Sequence, residues 1–253
     1  MDTTGGVKTV LAIEAHADDA TLGVGALLIR AARDGHRVVI VTVASDFSTW
    51  GTTAGREQAL KDQLVELAGK YGFERIFLDY PYHRTSGEDL ALKQQLAEIH
   101  ARLRTDVALI HHDKDHWPDH AGCARASHDA LLFPHGLTED LQARACPVIY
   151  AFDVSPRQTF HFQPDTYFEV APLMKDYMDL ILSTCSYYFG WQGDEGLVGR
   201  FVSKDGSGAS DLRLCPHGLR RFADCVRFGN MAQCQFAIGL RTVWGMRGRQ
   251  SLF

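Results

Sequence analysis

No two of the six cysteines stand in a CxxC pair; they are scattered through apolar stretches at Cys123, Cys146, Cys185, Cys215, Cys225 and Cys234. That spacing excludes a thiolate zinc ribbon and supplies no disulfide framework, so the six read as buried free thiols of a reducing cytosol. A long basic run is also missing. The 26 Lys and Arg are outnumbered by 31 Asp and Glu, for a net charge of −5, which disfavours nucleic acid or an anionic membrane surface as the main partner. No apolar run approaches the ~20 residues needed to span a bilayer. The opening MDTTGGVKTVLAIEA has no basic segment followed by an uninterrupted apolar one, so a signal peptide is not expected and the protein is placed in the cytoplasm. Neither an internal repeat nor a low-complexity linker is visible. What is present is ample core material, 45% hydrophobic residues in a chain of 253, which suits one large α/β domain.

The first two-thirds alternate between strand-like and helix-like stretches. Val7–Ile13 and Arg37–Ala44 are β-branched runs bounded by turn signals, as buried parallel strands are. Between them, Thr21–Arg33 places Leu22, Leu27, Leu28 and Ala32 at helical spacing and stops at Asp34-Gly35. Helices are expected at Arg56–Tyr71, Asp89–Leu103 and from about His120 to Leu132, and strands at Arg75–Leu78, Asp106–His111 and Pro147–Phe152. Repeated strand–helix–strand order predicts a Rossmann-like, mostly parallel sheet with helices on both faces. The expected core spans about 7–185. An elaborated C-terminal portion over about 186–253 begins with Gly-rich and polar loops (GWQGDEGLVGR, SKDGSGASD) and ends in apolar Phe222–Trp244, which packs back on the domain.

In an open α/β sheet, ligands collect at the carboxyl ends of the strands. The first strand ends in Ala15-His16-Ala17-Asp18-Asp19. A dinucleotide site would have a Gly-rich turn here, with backbone N–H groups facing pyrophosphate; two carboxylates repel a phosphate and attract a cation. Either aspartate alone could be a helix N-cap. A second aspartate and a histidine beside it call for more.

The strand DVALIH runs into a second cluster, in which His111, His112, Asp113, Asp115, His116, Asp119 and His120 fall within ten positions. Its place is again a strand's carboxyl end, on the same edge if the sheet is parallel, and Pro118 suits a first helical turn. A catalytic zinc site takes three protein ligands from His and carboxylate, with a water in the fourth position. His16, Asp19 and His120 supply that number. Asp18 remains adjacent and uncoordinated, as a general base requires. His111 and His112 also read as plain polar residues at a strand end, and His128 as a surface group. Cys123 reads as a helix-packing thiol.

Together the two motifs resemble the PIG-L/LmbE family of zinc-dependent N-deacetylases, whose signatures are Ala-His-Pro-Asp-Asp-Glu after the first strand and His-Pro-Asp-His after a later one. Here they read Ala15-His16-Ala17-Asp18-Asp19-Ala20 and Trp117-Pro118-Asp119-His120. The resemblance extends to RVVIVTVASD, to Arg56-Glu57 and to the stretch FQPDTYFEVAPLMKDYMDLILSTCS. It implies metal ligands at His16, Asp19 and His120, a base at Asp18, and a substrate contact at Arg56. Three departures bear on the site. Ala17 stands for proline, and Ala20 for glutamate. Trp117 stands where the family has the histidine that stabilises the oxyanion or acts as an acid; His116, one residue earlier, is expected to take that role, with Trp117 walling the substrate pocket. The implied reaction is removal of the N-acetyl group from an N-acetylglucosamine-type amino sugar or its conjugate, with Zn²⁺ or another divalent metal. A hydratase of an unsaturated carboxylic acid on the same scaffold and a non-catalytic sugar-binding protein are the competing readings. A homo-oligomer is compatible with all three.

Overall fold

The computed structural model describes residues 6–154, 159–190, 197–202 and 209–245. Along the chain run β1 (Thr9–Glu14), α1 (Asp19–Arg33), β2 (Arg37–Thr42), α2 (Glu57–Lys70), β3 (Phe73–Phe77), α3 (Leu90–Leu103), β4 (Val107–His111), α4 (Pro118–Leu132) and β5 (Val148–Phe152). Then follow β6 (Thr166–Glu169), α5 (Met174–Phe189), β7 (Leu197–Val202), β8 (Ala209–Leu214), α6 (Pro216–Ala232) and β9 (Ala237–Trp244). Seven strands form one sheet in the order β3-β2-β1-β4-β5-β9-β6, parallel from β3 to β5 and antiparallel at both β9 pairings. The expected mixed α/β fold is therefore present.

Alternation along the strands builds two cores. In β1, Val10 and Ala12 join the layer that includes α1, α5 and α6, while Leu11 and Ile13 face the layer of α3 and α4. Val38 and Ile40 of β2 do the same against Val39 and Val41. Strands buried on both faces need apolar residues at every position, which is why these runs show no polar alternation. The helix α1 stops where the sequence implies: Gly35 takes φ +83, the left-handed conformation that favours glycine after a helix.

Strand order reverses between β1 and β4, so the crevice at their carboxyl ends is the topological switch point of the sheet. The turn from β1 into α1 and the loop from β4 into α4 both empty into it. One feature of the C-terminal portion was not expected. β9 is an internal strand between β5 and β6, so the end of the chain completes the sheet. The hairpin β7–β8 falls in the stretch read as loops; residues 191–196 and 203–208 of that stretch lie outside the described residues.

Candidate metal centre

The ligand-type atoms of His16, Asp19 and His120, all three buried, form one cluster. His16 Nδ1 lies 3.1 Å from His120 Nε2. Asp19 Oδ2 lies 3.4 Å from His16 Nδ1 and 3.3 Å from His120 Nε2. Donors bonded at about 2.0–2.1 Å to a tetrahedral zinc are about 3.3–3.4 Å apart, so the triangle already has the size such an ion needs. Both histidines also have the right nitrogen turned inward. His16 Nε2 meets Asp119 Oδ2 at 3.1 Å, and His120 Nδ1 meets Asp115 Oδ2 at 2.9 Å. Carboxylates on the outer nitrogens take those N–H groups and leave the inner nitrogens free to ligate. The donor set fits a divalent cation.

Asp119 is fixed in turn. It is fully buried, and its oxygens accept the His83 N–H at 2.7 Å and the Thr85 N–H at 3.0 Å. Asp115 Oδ1 accepts the Trp117 N–H at 2.8 Å. The sequence presents both aspartates, yet nothing in it marks them as the partners that orient the ligands. Gly122 serves the same arrangement: a Cβ there would collide with the Thr85 carbonyl oxygen, so only glycine lets α4 lie this close to the loop that holds Asp119.

Charge is concentrated here. Burial pulls the His16 pKa down, but its bonds to Asp119 and Asp19 prevail and raise it to about 9. Burial opposes protonation of His120 as well, and the Asp19 charge with the Asp115 bond raises it to about 10. Asp19 is held well below the usual carboxylate range, against burial, chiefly by the His120 charge. Asp18 goes the other way. Burial, then the neighbouring Asp19 charge, lifts it to about 7. Two adjacent aspartates are thus shifted in opposite directions, Asp19 down and Asp18 up.

His111 lies beneath the cluster, its ring stacked on His120 with centroids 4.4 Å apart. Its Nε2 accepts the Ala15 N–H at 3.0 Å. That nitrogen is also 3.2 Å from Asp19 Oδ2, but a single lone pair is already taken by an amide whose proton is fixed. His111 is therefore a packed neutral imidazole, kept so by burial. His112 is anchored apart, with Nε2 on the Phe160 carbonyl at 3.1 Å.

A cleft of about 790 Å³ opens over the cluster, and His16, Asp18, Asp19 and His120 form part of its lining. Trp117 lines it too. His116 does not: it is exposed and its ring packs on Phe160, centroids 4.0 Å apart. In the Asp115–Trp117 turn, Asp115 Oδ1 accepts the Trp117 N–H, Trp117 faces the cleft and His116 faces outward. Arg56 is also absent from the lining. Its guanidinium donates to the Tyr188 carbonyl at 2.9 Å and the Thr52 carbonyl at 3.2 Å.

Sequence reasoning missed the rest of the wall, which includes Trp50, Tyr82, Tyr188, His217, Arg220 and Arg221. Tyr82 stacks on His16 at 5.0 Å with its plane only 7° away, and Trp50 stacks on the far side of Tyr82 at 5.0 Å. Trp117 lies between His120 and His83, at 6.2 and 5.6 Å. Each of these two histidines, His16 and His120, thus begins an aromatic column that restricts its ring. The Tyr82 and Tyr188 hydroxyls bond to each other. Arg221, fully buried, donates to Tyr177 Oη at 3.1 Å, to the Asp153 carbonyl at 3.2 Å and to the Gly23 carbonyl, tying α6 to α1 and the end of β5. Arg220 is exposed at the rim. Aromatic residues such as Tyr188 and Phe189 carry no signal of their own that they will converge on a distant strand tip.

Residues 11–131 match the family model described as PIG-L, GlcNAc-PI de-N-acetylase, so the resemblance carried by the two motifs is borne out. No curated protein sequence matches. Among solved structures, a conserved protein of Thermus thermophilus aligns at 17% identity over 96% of this chain and 97% of its own, TM-score 0.72. The N,N'-diacetylchitobiose deacetylase of Pyrococcus horikoshii aligns at 16% over 93% and 84%, TM-score 0.71. GalB, the 4-carboxy-2-hydroxymuconate hydratase of Pseudomonas putida, aligns at 18% over 98% and 100%, TM-score 0.71. At these identities the likeness establishes the shared fold.

Proposed function

We propose that this chain, which carries the PIG-L pattern over residues 11–131, is a metal-dependent N-deacetylase. Its substrate is an N-acetylglucosamine-type amino sugar or a conjugate of one, and its site is cytoplasmic. The observation that carries the reading is the convergence of His16 Nδ1, Asp19 Oδ2 and His120 Nε2 within 3.4 Å of one another, beside an uncoordinated buried Asp18. The three residues would hold zinc, or another divalent cation that a two-histidine, one-carboxylate set accepts. Such a cation, when bound, acidifies a water and polarises an acyl oxygen.

The chain's own groups do the remainder. Asp18, which lines the cleft beside the three ligands, accepts a proton as water attacks the acetyl carbon. The same proton is then carried to the departing nitrogen as the C–N bond breaks, leaving acetate and a free amine. Asp115 and Asp119 hold His120 and His16 in their ligating orientation throughout. Trp117 walls the substrate space, and Arg56, outside the lining, holds the Tyr188 carbonyl. His116, turned onto Phe160, is given no part in the step.

One observation favours the hydratase reading: Arg220 lines the cleft and could receive a substrate carboxylate, and a hydratase is among the structural neighbours. The non-catalytic reading is weakened because all three ligands and the base are retained. The test is amine release from a panel of N-acetylglucosaminides by chelator-treated protein, before and after zinc is restored. Release that depends on added zinc supports the proposal. No release from any member, with zinc-dependent loss of the absorbance of an unsaturated carboxylate, would replace it by the hydratase.

A further inference from the structure

We propose that Glu14 and Arg75 are positioning residues that cap α1 from the neighbouring strands and so release Asp18 from capping. The proposal rests on the N-deacetylase reading only for its kinetic arm. Asp18 occupies the N-cap position of α1, and aspartate there ordinarily accepts an N–H of the first turn through its side chain. Its carboxylate makes no such bond. The first-turn donor is satisfied from elsewhere: Glu14 Oε2, at the end of β1, accepts the Ala20 N–H at 2.9 Å.

The rest of this carboxylate is fully engaged. Glu14 Oε1 accepts from Thr42 Oγ1 at 2.6 Å and from an Arg75 amino group at 2.8 Å, and Glu14 has no exposed surface. The second Arg75 amino group donates to the Ala17 carbonyl at 3.2 Å. One buried ion pair therefore grips both ends of the turn, the Ala17 carbonyl and the Ala20 N–H, with Asp18 and Asp19 between them. β1 supplies the acid, β2 the hydroxyl and β3 the guanidinium. Position 20 is an alanine and contributes no acid of its own.

The consequence is geometric. A carboxylate that caps its own helix is drawn back onto the first-turn N–H groups. With that duty discharged by Glu14, the Asp18 side chain is left in the cleft lining, where the proton must move.

The principal variant is the double substitution Glu14→Met with Arg75→Met. Removing a whole buried pair in favour of apolar side chains is commonly tolerated, whereas removing one partner strands a charge. The expected result is a folded protein that binds one zinc per chain and keeps KM within about twofold, with kcat lower by about 10–100-fold, the signature of an interaction lost in the transition state alone. A crystal structure of the zinc-loaded double variant is expected to have the Asp18 carboxylate bonded to the Ala20 or Thr21 N–H. Should the double variant not fold, Glu14→Gln serves, since an amide offers an acceptor toward Ala20 or toward Arg75 but not toward both; the same split between kcat and KM is expected. Parental kcat in either folded variant overturns the proposal, as does an Asp18 carboxylate that stays off the helix. Metal content falling in step with kcat also overturns it, by reducing the pair to a structural support. If the parent protein frees no amine from any N-acetylated probe, the N-deacetylase reading fails, and the position of Asp18 in the variant structure still decides this one.

Discussion

Asp115 holds His120 from outside the His16–Asp19–His120 triangle, and its replacement by asparagine disturbs two bonds at once. Oδ2 accepts from His120 Nδ1 at 2.9 Å, and Oδ1 accepts the Trp117 N–H at 2.8 Å. An asparagine has one acceptor for these two donors. If its oxygen faces His120, its NH₂ confronts the Trp117 N–H, and the unmet donor costs about 1–3 kcal/mol. If its NH₂ faces His120, it donates to Nδ1 and drives the imidazole proton to Nε2, the nitrogen that points at Asp19 and His16. Either orientation weakens the site. Loss of such an orienting carboxylate typically lowers metal affinity by about 10–100-fold, or about 1.4–2.7 kcal/mol. Competition for zinc against a chromophoric chelator reads the change directly. An Asp115→Asn protein that holds zinc within twofold of the parent would refute the idea that the outer carboxylate sets the tautomer.

Other expectations follow from the same geometry. The 3.1 Å contact between His16 Nδ1 and His120 Nε2 requires a proton on one of them, and both pKa values are raised, to about 9 and about 10; zinc binding at pH 7 should therefore release at least one proton, measured by calorimetry in buffers of different ionisation enthalpy. For the same reason the metal-free protein should be stabilised by these histidines below pH ~6.5 and lose that contribution as pH rises through about 9–10, a loss that zinc-loaded protein should not show in thermal melts. Gly122→Ala should overpack α4 against the Thr85 carbonyl and cost about 1–3 kcal/mol, a fall of roughly 2–12 °C in Tm for a chain of this size, with metal affinity reduced because Thr85 holds Asp119. His116→Ala should keep kcat/KM within about threefold, since His116 is exposed on Phe160; a hundredfold loss in a steady-state assay would return it to the mechanism.

The site was legible in the sequence wherever a strand tip carried it. A parallel sheet brings the carboxyl ends of β1 and β4 to one edge, so His16, Asp18, Asp19 and His120 could be joined across a hundred residues without coordinates. Turn chemistry was not legible to the same depth: Asp115 captures the Trp117 N–H in a turn where residue 117 faces the cleft and residue 116 faces out. Glu14 was hidden for another reason. A carboxylate at the last position of an apolar strand reads as the exposed end of the run, yet here it is fully buried by partners on β2 and β3. The far wall of the cleft comes from the end of α5 and the first turn of α6, which only the packing of the two helices against α1 brings over the strand tips. β9 escaped because a stretch apolar enough to pack back on the domain does not reveal which two strands it will separate.

The division of labour between the two adjacent aspartates is the centre of the account, and one variant separates it. Asp18→Asn should be purified, loaded with zinc, and assayed in the same sample for bound metal and for amine release from an N-acetylglucosaminide that the parent protein cleaves. The expected result is one zinc per chain, because His16, Asp19 and His120 are untouched, with turnover lower by about 10²–10⁴-fold, the scale of a general base. Turnover at the parental rate would contradict the account by removing Asp18 from the chemistry. Loss of the metal would contradict it by making Asp18 a ligand.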